Sequence, residues 1–593
     1  MSSIRTHNCN ELNGKNINQN VQLMGWVHSI RNHGGLIFID LRDYYGITQC
    51  VVNENNGSLM ELVNKLKLES VIQVNGKVVK REEGTINKNL GTGEIEVLAS
   101  NIVIDSPAEV LPFSVANDDN AGEEIRLKYR FLDLRREKMQ KMLKLRSDAI
   151  NFIRQKMLEH SFTEVQTPIL TGSSPEGARD FLVPSRKHHG KFYALPQAPQ
   201  IFKQLLMASG LNKYFQIAPC FRDEDARADR TAGEFYQLDF EMAFATQQDI
   251  FKIAEEVFYN LFVKFGNKKV TTAPFPIITY SESIQKYASD KPDLRNPIEL
   301  FDATNIFKAS GFSLFANLIA KGAKVNAIPA KGAAGQPRSF FDKLNDWARK
   351  EKQGGLGYIV FDKDNKGPIA GKLSEEELEA IKKLGNLQEG DAVFFVCGKG
   401  NEFIKFSGLA RNKVAEELDL FEKDVFKLCW ITEFPLFELS DDGKLEFSHN
   451  PFSMPIGGLE ALKQQDPLQI KAYQYDAVCN GVEICSGAIR NHRLDIMHKV
   501  FEMAGYSKEE VNSKFNALTT AFMYGAPPHG GAAPGIDRIL MLLSNTSNIR
   551  DIIAFPLNQA GEDLLMKAPS IIDEARLKEL AIKVNLSEDK LKK

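Results

Sequence analysis

Two arginines far apart in the chain stand in settings that suit a polyanion. Arg222 ends an apolar run and opens a charged loop, in Cys220-Phe221-Arg222-Asp223-Glu224-Asp225. Arg538 closes Gly535-Ile536-Asp537-Arg538, where a glycine-rich stretch enters the helical pattern Ile539, Leu540, Leu542, Leu543. A guanidinium fork grips phosphate oxygens bidentately and keeps its charge at any accessible pH. A turn entering a helix adds free backbone N–H groups. Either arginine alone reads as a surface salt bridge. Together with the residues around them, they read as a grip on both ends of a nucleoside triphosphate.

Between Tyr214 and Phe244, two β-like runs flank the loop DEDARADRTAG. On the second run Phe235, Gln237, Asp239 and Glu241 share one face. A ring followed by three polar groups suits a ligand better than a core, with the ring stacking on a purine and the carboxylates holding an ammonium. In Asp476–Glu483, Asn480-Gly481 between β-like runs marks a hairpin turn. Val478 then opposes Glu483, and Asp476 lies diagonally from Glu483 on the same face, about 7–8 Å away. Such carboxylates repel unless a cation bridges them, and Mg²⁺ combines carboxylates with phosphate oxygens. Strict alternation puts Arg490 on the face opposite Glu483. For both to reach one site the strand needs a bulge, expected at Gly487. Upstream, Ser174–Asp180 is a turn-rich loop, and Gln200 and Lys203 lie where a turn leads into a helix. Alone, Lys203 would read as a surface lysine.

These groups need several elements to position them. The chain has 593 residues, 43% hydrophobic and 25% charged, with a net charge of −3. It reads as several soluble domains with no global basic signal, although a local basic face would suffice for RNA. Its start has no apolar signal core, and no run approaches a membrane span. Seven scattered cysteines form no CxxC pair and suggest reduced thiols in the cytoplasm.

Residues 1–108 hold five strand-like runs, with a helical pattern at Leu59–Leu66 between the third and fourth, the element count of an OB-fold. A linker covers 109–140, and the charged stretch at about 123–160 reads as that linker running into a long amphipathic helix. Alternating strands and helices fill 141–295 and return in 429–593, where residues after about 570 look helical. Between them, 296–428 has the texture of an inserted α/β domain.

The segments together resemble bacterial-type aspartyl-tRNA synthetase, a class II family, from residue 1 to about 575. Phe162–Leu170 is similar to the first class II motif, Phe221–Glu241 to the second and Gly535–Arg538 to the third. QAPQIFKQ, the hairpin ending in Arg490 and an insertion like the family's GAD domain carry the aspartate-specific likeness. The resemblance implies an α/β multidomain chain: an N-terminal OB-fold barrel, a catalytic antiparallel sheet flanked by helices, and a GAD-like insertion.

It further implies ATP and Mg²⁺ as cofactors and an aspartyl-adenylate intermediate. Arg222 would take the α-phosphate and the carbonyl oxygen of the aspartate, and Arg538 the γ-phosphate, with Asp223, Glu224, Phe235, Gln237, Glu483, Gly535, Ile536 and Asp537 completing the ATP site. Asp476 and Glu483 would hold the metal. Lys203 and Arg490 would clamp the side-chain carboxylate of L-aspartate, Gln200 and Asp239 its ammonium, while Glu176 and His449 close over it. Pro168 would lie at a homodimer interface. Arg31, Phe38, Gln49 and Glu96 match anticodon-reading positions, where rings stack on bases and polar groups read their edges. His33 and Gly84 match the pattern of relatives that charge both tRNA(Asp) and tRNA(Asn), whose second product needs a tRNA-dependent amidotransferase. The rival readings are a strictly tRNA(Asp)-specific synthetase, an amide ligase of the asparagine synthetase kind, and a non-catalytic tRNA-binding protein. No implied reacting group falls between 300 and 425, so excising that region is expected to spare aspartate activation.

Overall fold

The computed structural model describes residues 4–33, 35–53, 57–116, 121–173, 178–230, 233–351, 354–440 and 442–586. The chain divides into two units, Met1–Lys144 with Ile553–Ser570, and Leu145–Ile552 with Ile571–Lys593.

In the first unit, Asn20–His33, Leu36–Asp43, Gly46–Asn53, Val71–Lys80 and Ile95–Ser106 form a closed barrel. Alternation in these strands turns Leu23, Val27, Ile37, Ile39, Val74 and Val97 inward. The helix Gly57–Asn64 adds Leu59 and Val63 to the same core. This is the OB-fold the sequence pattern implies. The charged stretch from about 123 breaks into two short helices, Glu123–Lys128 and Arg130–Asp133, before the expected long helix, Glu137–Glu159. Arg130 explains part of the break: buried against Asp133 at 2.6 Å, it donates to the carbonyls of Ile553 and Ala554. Residues 553–570 therefore group with the barrel unit, not with the 429–593 segment to which the sequence reading assigned them.

The second unit is built on an eight-stranded sheet. Its order is Ile277–Thr279, Leu428–Thr432, Gln474–Cys479, Val482–Ile489, His529–Pro534, Gly233–Ala243, Lys213–Arg222, Thr163–Glu164. The inner pairings are antiparallel and only the two edge pairings are parallel. The region between the two halves of this sheet carries its own four-stranded antiparallel sheet. Strict alternation in Ala392–Gly398 sends Phe394 and Val396 to one apolar cluster and Val393 and Phe395 to another. The helix Gly400–Glu417 lies on the first of these faces. After residue 570 the only described helix is Glu574–Glu579, shorter than the sequence pattern suggests.

Candidate active site

Four charged side chains converge near the middle of the large sheet, all almost fully buried. Lys203, in the helix Gln200–Ala208, places Nζ 2.9 Å from Oδ2 of Asp239 and 3.4 Å from Oε2 of Glu241. Asp239 and Glu241 share one face of the Gly233–Ala243 strand, as alternation requires. Arg490, just past the Val482–Ile489 strand, donates from Nε to Oε1 of Glu241 at 2.9 Å and from Nη2 to Oε2 at 3.3 Å. Two cations and two carboxylates make a neutral quartet, the arrangement buried charges need. Burial raises the Asp239 carboxyl, with Lys203 opposing. Burial also acts on Glu241, but Arg490 and Lys203 outweigh it and hold that carboxyl low. A Cβ at Gly531 would lie 2.1 Å from the Phe240 carbonyl oxygen and 2.2 Å from the Glu241 carboxylate, so the close approach here needs glycine. Oδ1 of Asp239 and Nε2 of Gln200 are buried without a hydrogen-bond partner. Orphaned polar atoms beside a charge cluster indicate a polar ligand.

Next to this quartet lies a cleft of about 290 Å³ lined by Arg222, Phe235, Gln237, Glu483, Gly535 and Arg538. Gly233 pairs with Arg222, closing the hairpin, and the Arg222 guanidinium stands 4.9 Å over the Phe235 ring. Its Nε is buried and unpartnered among the described residues. Arg538 donates to the Glu483 carbonyl at 2.9 Å and lies 3.5 Å from its carboxylate. Gln237 accepts from the Cys220 thiol. Glu224 is engaged by Arg230 at 2.6 Å, and the Asp223 N–H by the Arg179 carbonyl. Two of the glycine-rich turn's residues, Gly535 and Asp537, line the cleft and also carry structural bonds. The Gly535 N–H is spent on the Ile484 carbonyl. The Asp537 carboxylate is spent on the Tyr236 N–H at 2.9 Å and on Arg146 at 2.5 Å. Asp537 thus ties the helix start to the sheet.

Asn480 and Gly481 both have positive φ, and Val478 opposes Glu483, as the turn signal implies. The bulge that Arg490 requires falls at Ile484, not at Gly487. The reason is packing: a Cβ at Gly487 would lie 2.4 Å from the Tyr475 ring, so that glycine serves a close approach. The extra residue brings Ser486 opposite Asp476. Oδ1 of Asp476 is buried and unpartnered, and burial followed by Glu483 holds this carboxyl well above the usual range. Burial acts on Glu483 too, but Lys291 and Arg538 keep it low. An orphaned buried carboxylate oxygen beside a second carboxylate fits a divalent cation completed by phosphate oxygens. Among the described residues no cluster of three or more protein ligands exists. His449 is exposed, bonded to the Ser448 hydroxyl at 2.8 Å and edge-on to Phe434. Glu176 lies outside the described residues.

On the barrel, Arg31 bonds both oxygens of Asp40 and also Gln49, which donates to Glu96 at 3.1 Å. Phe38 pairs across from Arg31, half-buried on the face opposite core residues Ile37 and Ile39. The four positions thus form one continuous outer patch. His33 is exposed at the end of its strand, and Gly84 lies in the turn Glu83–Thr85, where a Cβ would meet nothing.

The model of class II tRNA synthetases (D, K and N) matches residues 122–559, and that of the OB-fold nucleic acid binding domain matches residues 21–105. The chain is 57% identical to the aspartate–tRNA(Asp/Asn) ligase of Gluconobacter oxydans over 100% of its own length and 99% of that protein. The chain belongs to this family. The Rickettsia bellii protein of the same name is 58% identical to this synthetase over 99% of both chains. Among solved structures, asparaginyl-tRNA synthetase from Pyrococcus horikoshii complexed with asparaginyl-adenylate covers 93% of this chain and 98% of its own (TM-score 0.57, 20% identity). Aspartyl tRNA synthetase from Entamoeba histolytica covers 92% and 89% (TM-score 0.55, 17% identity). These two share the synthetase's fold. Sequence reasoning left two contributors to the site without a role, Arg146 behind Asp537 and Lys291, and it gave Glu241 to an ammonium where the structure sets it between Lys203 and Arg490. Alternation alone flags Glu241; Arg146 and Lys291 carry no local signal.

Proposed function

We propose that the synthetase activates L-aspartate with ATP and transfers it to the 3′ end of tRNA(Asp) and tRNA(Asn). The observation that carries the amino-acid choice is the neutral quartet of Lys203, Asp239, Glu241 and Arg490. Its two cations are positioned for a side-chain carboxylate, and the free oxygen of Asp239 for an ammonium. The Arg222 guanidinium, with an unpartnered Nε beside the Phe235 ring, is placed to hold the α-phosphate while the substrate carboxylate attacks it in line. Arg538 takes the far end of the triphosphate. Catalysis is then positional and electrostatic, and needs no side-chain nucleophile. Asp476 and Glu483 would hold Mg²⁺, which neutralises phosphate charge when bound.

The barrel patch argues against an amide ligase, which has no anticodon to read. A non-catalytic protein would have no use for the orphaned atoms of Arg222, Asp239 and Asp476. The relatives named for both tRNAs, together with His33 and Gly84, favour dual charging over strict tRNA(Asp) specificity. The tRNA(Asn) product then requires an amidotransferase. Ile169 and Leu170, both exposed after the edge strand Thr163–Glu164, support a homodimer through that edge. No described helix is long and apolar enough to cross a membrane, and we place the synthetase in the cytoplasm. Aspartate-dependent ATP–pyrophosphate exchange, followed by charging of purified tRNA(Asp) and tRNA(Asn) transcripts, tests the reading. Charging of tRNA(Asn) a hundredfold less efficient than of tRNA(Asp) would overturn the dual specificity.

A further inference from the structure

We propose that Lys291 is a further ATP-contact residue, meeting the β- and γ-phosphate oxygens and the departing pyrophosphate, and that Arg411 of the inserted region positions it. The proposal rests on the reading of the cleft as an ATP site.

Lys291 comes from the irregular segment between the helix Tyr280–Tyr287 and the strand Phe301–Asp302. Its Nζ lies 2.8 Å from Oε2 of Glu483, whose other carboxylate oxygen lies 3.5 Å from Arg538. Two cations therefore converge on one carboxylate at the cleft wall. The Lys291 side chain is 39% exposed, so its ammonium can turn to an incoming anion. An isolated surface pair would contribute little and would need no support behind it. This one is backed by a costly arrangement.

Arg411, in the helix Gly400–Glu417, is 1% exposed and has no ion pair among the described residues. Its guanidinium is spent mainly on backbone: Nε donates to the Ile298 carbonyl at 2.7 Å and Nη2 to those of Asn296 at 2.8 Å and Asp293 at 3.2 Å, while Nη1 donates to the Asn412 side chain at 3.3 Å and the group lies 4.9 Å over the Tyr287 ring. Burying a cation without a carboxylate partner is expensive, and this one fixes the segment just after Lys291. Burial pushes the guanidinium down to about 10. From the other side, Asp293 packs on the hairpin turn, where a Cβ at Gly481 would lie 3.3 Å from its own Cβ. The Lys291 segment is thus wedged between the hairpin that carries Asp476 and Glu483 and a helix of the inserted region. The region between 300 and 425 holds no reacting group, yet its excision removes Arg411. On this proposal excision weakens ATP use, contrary to the expectation from sequence that activation would be spared.

The test uses the full-length protein. Lys291→Gln, at an accessible position, keeps the fold; Arg411→Lys keeps a buried cation but cannot span three carbonyls. Exchange kinetics give the KM for ATP and for aspartate, and calorimetry with pyrophosphate and Mg²⁺ in the absence of aspartate gives a Kd independent of turnover. Lys291→Gln should raise the KM for ATP and the pyrophosphate Kd on the order of 10- to 100-fold, the loss expected of a charge-assisted contact, with the KM for aspartate unchanged. Lys291→Arg should recover part of the loss. Arg411→Lys should shift the same two constants, and in the double variant should add nothing to Lys291→Gln. Parent-like ATP and pyrophosphate constants in Lys291→Gln would overturn the phosphate contact, and additive losses would overturn the role of Arg411. Absence of aspartate-dependent exchange in the parent would instead remove the functional reading itself.

Discussion

Replacing Arg490 by leucine removes one of four charges from a site that has no solvent to compensate. Lys203 would remain alone against Asp239 at 2.9 Å and Glu241 at 3.4 Å, turning a neutral quartet into one with net charge −1. A substrate carboxylate about 4 Å from the lost guanidinium forfeits roughly 4 kcal/mol at an effective dielectric near 20. Breaking one partner of a buried charge cluster typically costs about 3–5 kcal/mol, so the two routes agree. At ~1.36 kcal/mol per decade, kcat/KM for aspartate should fall roughly 150- to 5,000-fold. The assay is ATP–pyrophosphate exchange well below the melting temperature, with aspartate and then ATP varied. The KM for ATP should stay within about threefold, because Arg222, Arg538 and Glu483 do not touch Arg490. Asparagine, with a neutral side chain, meets no added repulsion, so preference for aspartate over asparagine should narrow. Aspartate use within tenfold of the parent would refute the charge count.

Arg222→Ala should lower adenylate formation on the order of 10³-fold or more, with the melting temperature and tRNA affinity nearly unchanged; a loss of only a few-fold would remove Arg222 from the reaction. Asp476 gives a pH signature. Its carboxyl is held above the ordinary range, so its contribution to stability is complete below the unfolded-state pKa and is lost as pH rises through the raised one. Ligand-free Asp476→Asn should therefore melt near the parent in acid and progressively above it towards pH 8, while losing metal-dependent ATP binding; a flat or inverted calorimetric difference would count against the orphaned carboxylate. His33→Leu with Gly84→Lys should lower tRNA(Asn) charging at least tenfold relative to tRNA(Asp), leaving exchange untouched. Open space at Gly84 admits the lysine without strain, so unaltered tRNA preference would discard both positions as discriminators.

What was legible in the sequence followed local rules. Asn480-Gly481 announced its own turn, and with it the pairing of Val478 with Glu483. Alternation put Asp239 and Glu241 on one face before any contact was known. The need for a bulge before Arg490 was legible as well, but not its position. That is set by how Gly487 meets Tyr475 and by pairing with His529–Pro534, both tertiary. The bond between Glu241 and Arg490 spans 249 residues and leaves no periodic trace. Lys291 lies in a segment without regular structure, where neither period applies. Asp537 shows a different limit: a carboxylate at a helix start beside a glycine-rich turn suits a ligand and a structural tie equally, and the structure shows its bonds to Tyr236 and Arg146 while it also lines the cleft.

The strand order of the large sheet sets a timetable for synthesis. Gly233–Ala243 has one neighbour, Lys213–Arg222, close behind it in the chain, but its other neighbour is His529–Pro534. The ribosome must therefore add everything from Phe244 to Pro528 before that edge can be covered. At ~5–20 residues per second this leaves a bare strand edge exposed on the nascent chain for roughly 15–60 s. Unpaired edges of that kind seek other chains. Asp239 and Glu241 lie on this strand, and until Arg490 is made Glu241 lacks its strongest partner. Lys203, already made, answers only one of these two carboxylates, so the open strand carries one net negative charge until the last of the four charged partners has been added.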